Sequence, residues 1–422
     1  MRVESAAGEL RIGGTAAAEL AAAYGTPLLA IDTDVLDANL AHFAALGARH
    51  GLDVAYAGKA LLFVALARRI ARSPLALDVC SLGELLTGET AGMPGARMVL
   101  HGCGKTDEEL QAAIDGRVGR IVVDNFEELE RLAKLAHARC SLRVLLRVNT
   151  GIEAHTHAYV RTGGEESKFG FPVDRLSDAI ARCSEARGLA LGGIHSHLGS
   201  QIFEGSAYAA SLPIALDALA QAVAGDRRAT DLVLGGGFGI DARPAGERFD
   251  FEATLEELAR DVATGARARG IATPRLGIEP GRALVAEAGT SLYRVVAVKR
   301  QGARHFAVVD GGMADNPRPA LYGAYHHPLL ADRVSRAQLV DTTVCGRSCE
   351  NDRLVVAPLP ADLAAGDLLA LGTTGAYTYS MASNYNRFTK PAIAFAGGRA
   401  HRLVVRRETS DEVLRYDVLD AD

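Results

Sequence analysis

The chain has no CxxC pair, and its six cysteines (Cys80, Cys103, Cys140, Cys183, Cys345 and Cys349) are scattered over 422 residues. This excludes a zinc ribbon, a thioredoxin-type redox pair and a disulfide framework, and makes most of them small buried apolar residues by expectation. No stretch approaches the roughly 20 apolar residues of a membrane-spanning helix. The first ten residues carry Glu4 and Glu9 and no apolar core, so no signal peptide is read there and the expected location is the cytoplasm. Charge of either sign is not in large excess: a formal net charge of -5 gives no electrostatic reason to expect nucleic acid or a membrane surface as partner. No GxGxxG opens a helix after the first apolar run, which argues against a plain dinucleotide-binding sheet. Internal repeats and low-complexity linkers are also missing.

What is present is the profile of a globular protein, 48% hydrophobic and 23% charged, in a chain too long for one ordinary core. Two domains are expected. Through the middle of the chain short apolar runs alternate with Ala/Leu-rich helical patterns. The runs are Leu52–Ala57, Leu75–Val79, Arg97–Leu100, Arg120–Val123, Leu142–Val148, Leu189–His195, Asp231–Leu234 and Arg275–Glu279. Helical patterns fall at Ala60–Arg72, Asp107–Asp115, Asn125–Ala138, Val173–Arg187, Tyr208–Ala224 and Phe251–Arg269, with start signals at Thr106 and Asp124. Eight strands, each feeding a helix or loop, is the count for a (β/α)8 TIM-type barrel; an open doubly wound sheet would give a similar cadence. After residue 285 the texture changes to strand-like segments separated by turn residues: Thr290–Arg300, His305–Val309, Gln338–Val344, Leu354–Ala357, Leu368–Leu371 and Leu403–Arg407. That pattern predicts a C-terminal all-β domain.

Polar and glycine-rich motifs sit just past the predicted strands, where barrel enzymes carry their chemistry. Lys59 follows the first strand, Asp78 ends the second, His101-Gly102 follows the third, and Arg147 with Asn149 ends the fifth. His195 to Ser200 closes the sixth, Gly235-Gly236-Gly237-Phe238-Gly239 follows the seventh, and Glu279 to Arg282 closes the eighth. An isolated lysine at a helix start is usually solvated. Lys59, between an apolar strand and the run Ala60–Ala67, is expected deep in the mouth, where burial would lower its pKa as a Schiff-base lysine requires. A glycine run is often only a flexible turn, but after a strand it can offer backbone N–H groups to a phosphate. His195 and His197, two apart, have the spacing of metal ligands, yet no carboxylate or third histidine completes the set at typical spacing, so no metal is expected.

Taken together and in order, the motifs resemble the fold-type III pyridoxal-phosphate decarboxylases, most closely the diaminopimelate decarboxylases. The resemblance runs over essentially the whole chain. It rests on Tyr56–Ala60, the segment from Asn149 to Gly170 (NTGIEAHTHAYVRTGGEESKFG), His195–Ile202 (HSHLGSQI) and the glycine run. It continues through Glu279–Arg282, Asp310–Met313 (DGGM), Arg318–Gly323 (RPALYG), Cys349-Glu350 and Gly375–Asn386 (GAYTYSMASNYN). It implies an alanine racemase-like architecture: an N-terminal segment, 1–33, packing with the β domain; a cofactor-binding barrel, 34–285; and a β domain, 286–422, that completes the site.

By the same resemblance, Lys59 would carry pyridoxal 5'-phosphate and His197 would stack on its ring. Asp78 would also lie among the cofactor contacts. Ser200, the backbone of Gly235, Gly236 and Gly237, and Tyr377 would hold the phosphate, and Glu279 would face the ring nitrogen. A carboxylate there keeps the nitrogen protonated, so that the ring accepts the electron pair released with CO2. A racemase of this class would set an arginine in that place. Arg282, Arg318 and Tyr322 would hold a distal carboxylate and Glu350 a distal amine, with Tyr377 at the same site, which implies meso-diaminopimelate and the product L-lysine. Cys349 would come from a neighbouring subunit, which implies a homodimer. The chain departs from the family locally: Arg347 stands where the family commonly has proline, the segment after Glu350 is one residue shorter, and Gly58, Cys103 and Gly104 are unusual. The alternatives are a decarboxylase of a related or modified amino acid in a siderophore or antibiotic pathway, and a non-catalytic cofactor-binding homologue. Retention of both Lys59 and Cys349 weighs against the latter.

Overall fold

The computed structural model describes residues 9–137, 141–152, 167–244, 246–247 and 249–418, so Cys140 lies outside the described residues. Two compact units divide the chain: one comprises Leu40–Ile240 with Glu247–Ala283, the other Met1–Asn39, Asp241–Gly246 and Leu284–Asp422.

The first unit is a closed barrel of eight parallel strands: Asp53–Ala57, Ala76–Val79, Met98–Leu100, Arg120–Val123, Leu142–Asn149, Leu189–His195, Asp231–Val233 and Arg275–Ile278. Each pairs with its neighbour, and the eighth returns to the first through Gly277 opposite Asp53 and Ile278 opposite Val54. Just beyond this seam the Ala57 N–H donates to the Pro280 carbonyl at 3.2 Å. The strands are predominantly apolar because both faces are covered, as Met98–Leu100, apolar and buried at every position, illustrates. At the start of the seventh strand Asp231 is buried and accepts hydrogen bonds from Arg143 Nε (2.8 Å) and Arg275 Nε (3.0 Å). Burial alone would raise its pKa; the two guanidiniums more than offset this and hold it below the usual carboxylate value. This network ties neighbouring strands at the end of the barrel away from the motifs.

The helices that follow the strands are Val64–Arg72, Leu82–Thr90, Asp107–Ile114, Phe126–Leu135, Leu176–Glu185, Ser206–Gly225 and Phe251–Ala268. Thr106 closes a capping box with Glu109. The cap of the next helix is Asn125, whose side chain accepts from the Glu128 N–H, and not Asp124 as the sequence suggests. Helix Leu82–Thr90 is not legible as a periodic pattern because Gly83 and Gly88 dilute its propensity, yet Ser81 accepts from the Glu84 N–H at 3.2 Å and starts it. Ser206–Gly225 is 20 residues long and apolar enough to span a membrane, contrary to the expectation that no such stretch exists. Its apolar side is used within the unit: Tyr208, Leu212, Ala215, Leu216, Leu219 and Ala222 are buried.

The second unit is built on a mixed sheet centred on the long strand Gly289–Gln301, which pairs antiparallel with Leu28–Asp32, Arg304–Val309 and Leu368–Gly372. Leu28–Asp32 also runs parallel to Ala392–Gly397, and Arg304–Val309 parallel to Leu339–Cys345. Arg318–Tyr322 and Ser410–Leu414 add short helices to what the sequence presents as an all-β domain, and Ala17–Tyr24 is a helix of the N-terminal segment. The final predicted strand, Leu403–Arg407, forms earlier, at Ala400–Val405. Among the described residues, Cys80, Cys103, Cys183, Cys345 and Cys349 are free thiols; only Cys183 is fully buried, fewer than expected.

Candidate active site

The motifs of the barrel unit converge at the C-terminal ends of its strands. Glu279, past the eighth strand, is the centre. Its Oε2 accepts from His195 Nε2 at 3.1 Å, and its Oε1 lies 3.2 Å from His101 Nε2, which in turn is 3.5 Å from Asp78 Oδ1. The carboxylate thus sits between two imidazoles from the third and sixth strand ends, with a second carboxylate behind.

Burial works against every charge here, and geometry decides which charges survive. For Glu279 burial pushes upward, but the charges and hydrogen bonds of His101 and His195 hold it well below the usual carboxylate value. For His101 burial pushes downward, and the attraction of Glu279 and Asp78 overcomes it, raising the imidazole to about 9. His195 lacks that second carboxylate; burial dominates and takes it to about 4. Asp78 is raised to about 6, by burial first and by repulsion from Glu279 second. At neutral pH the four groups therefore comprise two carboxylates and one imidazolium, leaving one negative charge. Since the His101 pKa is raised above its unfolded value, its pairing contributes stability that is complete below about 6.5 and lost as pH rises through about 9. Replacing Glu279 by glutamine should bring the His101 titration, followed by NMR, down by about one unit or more, and should flatten unfolding stability between those pH values. An unmoved titration would mean that Glu279 is not its main partner.

His101, His195 and Glu279 bring ligand-type atoms within 4.8 Å of one another. The fold thus supplies the carboxylate and the further histidine that the sequence does not show, and it leaves His197 out. The 3.1 Å contact with His195 is a hydrogen bond, and the 3.2 Å approach of His101 is an ion pair.

His197 faces elsewhere. Its Nδ1 accepts the Gly236 N–H at 3.3 Å, which puts the ring proton on Nε2. Burial, then the charges of Lys59 and Arg147, take its pKa well below normal, so the ring is neutral. The glycine run makes this approach possible: a Cβ on Gly235 would lie 2.2 Å from His197 Nδ1, and one on Gly236 would lie 2.0 Å from the Glu279 carbonyl. Glycine here is a requirement of packing, and one of its three N–H groups is already committed.

Lys59 lies in a single helical turn, Gly58–Ala60, directly after the first strand. Contrary to the sequence-based expectation its side chain is exposed, while Gly58 and Ala60 are buried, because the turn carries the lysine past the end of the packed strand. The turn itself is rigid: Tyr56 is fully buried and its hydroxyl donates to the Leu61 carbonyl at 2.6 Å. A Cβ on Gly58 would meet the Asp78 carbonyl at 2.7 Å, which explains the small residue there. The ammonium acts on its surroundings: Cys80 is pushed up to about 12 by burial, with Lys59 opposing. Buried Arg282 donates from Nη2 to Ser200 Oγ at 3.1 Å. Of the segment Asn149–Gly170, residues 153–166 lie outside the described residues.

The second unit gathers the other candidates in two groups. Buried Arg318 lies over the Tyr322 ring (4.9 Å to its centre) and the Tyr377 ring (5.5 Å). Among the described residues no carboxylate pairs with it, and burial lowers its pKa. Cys349 and Glu350 are exposed; the Cys349 N–H donates to Asn386 Oδ1 at 3.2 Å, and Tyr385 Oη donates to Glu350 Oε1 at 2.5 Å. His101, His195 as a carboxylate partner, Tyr385 and Asn386 are additions that sequence reasoning does not supply. His101 carried a signal, its place directly after a strand; the others had only their membership in a motif.

Comparison with known proteins fits this geometry. A family model described as the pyridoxal-binding domain of pyridoxal-dependent decarboxylases matches residues 39–286. The chain is 42% identical to a diaminopimelate decarboxylase of Actinosynnema pretiosum subsp. auranticum, over 97% of this chain and 93% of the relative. With the diaminopimelate decarboxylase of Bacillus subtilis (strain 168) it shares 40% identity, over 97% and 95%. The crystal structure of a diaminopimelate decarboxylase from M. jannaschi superimposes with a TM-score of 0.92 at 28% identity, covering 99% of this chain and 98% of that one.

Proposed function

Given that the chain belongs to the pyridoxal-dependent decarboxylases, and is a pyridoxal-phosphate-dependent carboxy-lyase, we propose that its substrate is meso-diaminopimelate and its product L-lysine. The observation that carries the substrate is Arg318: a buried guanidinium lying over two tyrosine rings and, among the described residues, without an acidic partner. A buried cation without a counter-charge is a ready seat for a carboxylate, and arginine's planar fork suits one that binds through both oxygens.

The residues of the barrel unit fit pyridoxal phosphate. Lys59 offers an accessible amine on a rigid turn. Glu279 is a largely enclosed carboxylate kept ionised, and the cluster's one excess negative charge would match a protonated ring nitrogen. His197 is a neutral ring of fixed orientation, and Ser200 with Arg282 offers donors to an anion. The cofactor supplies the electron sink for the pair released with CO2.

The protein's own residues supply the rest. Lys59 would attach the cofactor through its side-chain amine. His197 would stack on the cofactor's ring, with the Gly236 N–H holding the imidazole's orientation. Glu279 would face the ring nitrogen and keep it protonated, with His101 and His195 keeping the carboxylate ionised. Asp78 sits behind His101 and holds that imidazole charged. Ser200, the glycine run and Tyr377 bind the phosphate. Arg282, Arg318 and Tyr322 bind the distal carboxylate, Glu350 binds the distal amine, and Cys349, given by the second subunit of a cytoplasmic homodimer, returns a proton to the reacting carbon.

A CO2-release assay across meso-diaminopimelate, ornithine, lysine and arginine tests the substrate, with preference for the first expected. A strong preference for another amino acid would leave the reaction class standing and overturn the substrate. Truncating Arg318 to alanine should lower kcat/KM for meso-diaminopimelate by on the order of tenfold to several hundredfold, the size expected for a charge-assisted hydrogen bond in a desolvated site. Lysine, which has no distal carboxylate, should be affected much less. Equal losses on both substrates would remove Arg318 from that role.

A further inference from the structure

We propose that Tyr385 is a specificity-determining positioning residue, holding the Glu350 carboxylate in the orientation that selects substrates with a distal amine. The proposal rests on the role given to Glu350 above and extends it to a residue that lies in the GAYTYSMASNYN motif without an assigned role.

The geometry is a bracket. Residues 383–388 grip the loop that carries Cys349 and Glu350 at adjacent points. Tyr385 Oη donates to Glu350 Oε1 at 2.5 Å, and Asn386 Oδ1 accepts the Cys349 N–H at 3.2 Å. Asn386 adopts φ of 50°, a left-handed conformation that asparagine tolerates better than most residues, and this turns its amide toward the loop. The bracket is itself fastened. The Ser383 N–H donates to the Ala314 carbonyl at 2.8 Å, and Asn384 Nδ2 donates to the Phe388 carbonyl at 3.0 Å and to Glu408 Oε2 at 2.5 Å. The loop it grips is equally fixed. The Met313 N–H donates to Asp352 Oδ1 at 2.8 Å, the Gly346 N–H donates to the Asp352 carbonyl at 2.7 Å, and the Arg347 N–H donates to the Gly311 carbonyl at 3.2 Å. Arg347, standing where the family commonly has proline, lies 4.2 Å over the Phe388 ring, so the departure adds a contact between loop and bracket.

Without Tyr385 an exposed glutamate would sample several rotamers and lose that freedom on binding a cation. With it, Oε1 is engaged, and Oε2 is presented in one place. The cost of ordering is met before the ligand arrives, which is the ordinary route from rigidity to affinity. A phenol suits this because its ring fixes the hydroxyl at the end of a two-torsion side chain and adds no charge to compete with the substrate's ammonium.

The test compares meso-diaminopimelate with 2-aminopimelate, the same skeleton with hydrogen in place of the distal ammonium. Tyr385→Phe removes only the hydroxyl of an exposed side chain. It should lower the ratio of kcat/KM values (diaminopimelate over 2-aminopimelate) by about tenfold, chiefly through KM for diaminopimelate. In a Glu350→Ala background the same substitution should leave the ratio where Glu350→Ala alone puts it. Equal losses on both substrates would overturn the proposal, reducing Tyr385 to a structural part. If Glu350→Ala lowers the ratio and Tyr385→Phe does not, the positioning role fails while the reading of Glu350 stands. If neither changes it, the amine-binding role of Glu350 falls, and this proposal with it.

Discussion

Replacing Lys59 by alanine should abolish turnover, with kcat falling by on the order of a thousandfold or more, because covalent attachment and release of the cofactor has no substitute in the site. The purified wild-type protein should be yellow, and borohydride reduction followed by mass spectrometry should find the pyridoxyl label on Lys59. The neighbourhood makes this lysine the one to label: it follows a strand fully buried from Val54 to Ala57, it sits on a turn clamped by Tyr56, and its own side chain is accessible. Label on a different lysine would overturn the assignment. Far-UV circular dichroism of the alanine variant should be unchanged, since an exposed side chain contributes little to packing.

The second large effect is recovery of activity by mixing. Lys59→Ala and Cys349→Ala should each be nearly inactive when pure. If a site draws Cys349 from one subunit and Lys59 from the other, heterodimers formed by subunit exchange carry one intact site, and about a quarter of wild-type activity should return when exchange is complete. Demonstrated exchange with no recovery would mean that each chain completes its own site. The exposed position of Cys349, on a loop held from beneath by Asn386, suits a residue used by another molecule.

The barrel was legible because a strand buried on both faces leaves a strong mark. Arg120–Val123 and Leu189–His195 have the same limits in sequence and structure, and the others differ by a residue or so at an end. The N-terminal strand Leu28–Asp32 left no such mark. LLAID is only five residues long and stands outside the strand–helix cadence, and pairing with Gly289–Leu292 and Ala392–Ala396, far along the chain, makes it a strand. The glycine run was visible as glycine, but its reason was not: the 2.0 Å approach of a Cβ on Gly236 to the Glu279 carbonyl exists only once two strands are side by side. The same limit hid the His101–Glu279 pair. Lys59 misled in the opposite direction, since apolar neighbours in sequence imply burial of the strand and the helix, not of a side chain on the turn between them.

The barrel is closed by a narrow seam: two residue pairs between first and last strands, and the Ala57–Pro280 hydrogen bond beyond them. Lys59 and Glu279 stand on opposite sides of that seam, more than two hundred residues apart in the chain. Ordering a loop of that length is among the slowest contacts a chain can make, because its entropy must be lost before the contact returns anything. On the proposed assignment, the lysine that would attach the cofactor and the carboxylate that would face its ring nitrogen come from parts of the polypeptide brought together only by closure of the barrel. On that assignment, detaching the last barrel strand should cost the protein its uptake of pyridoxal phosphate together with its closure.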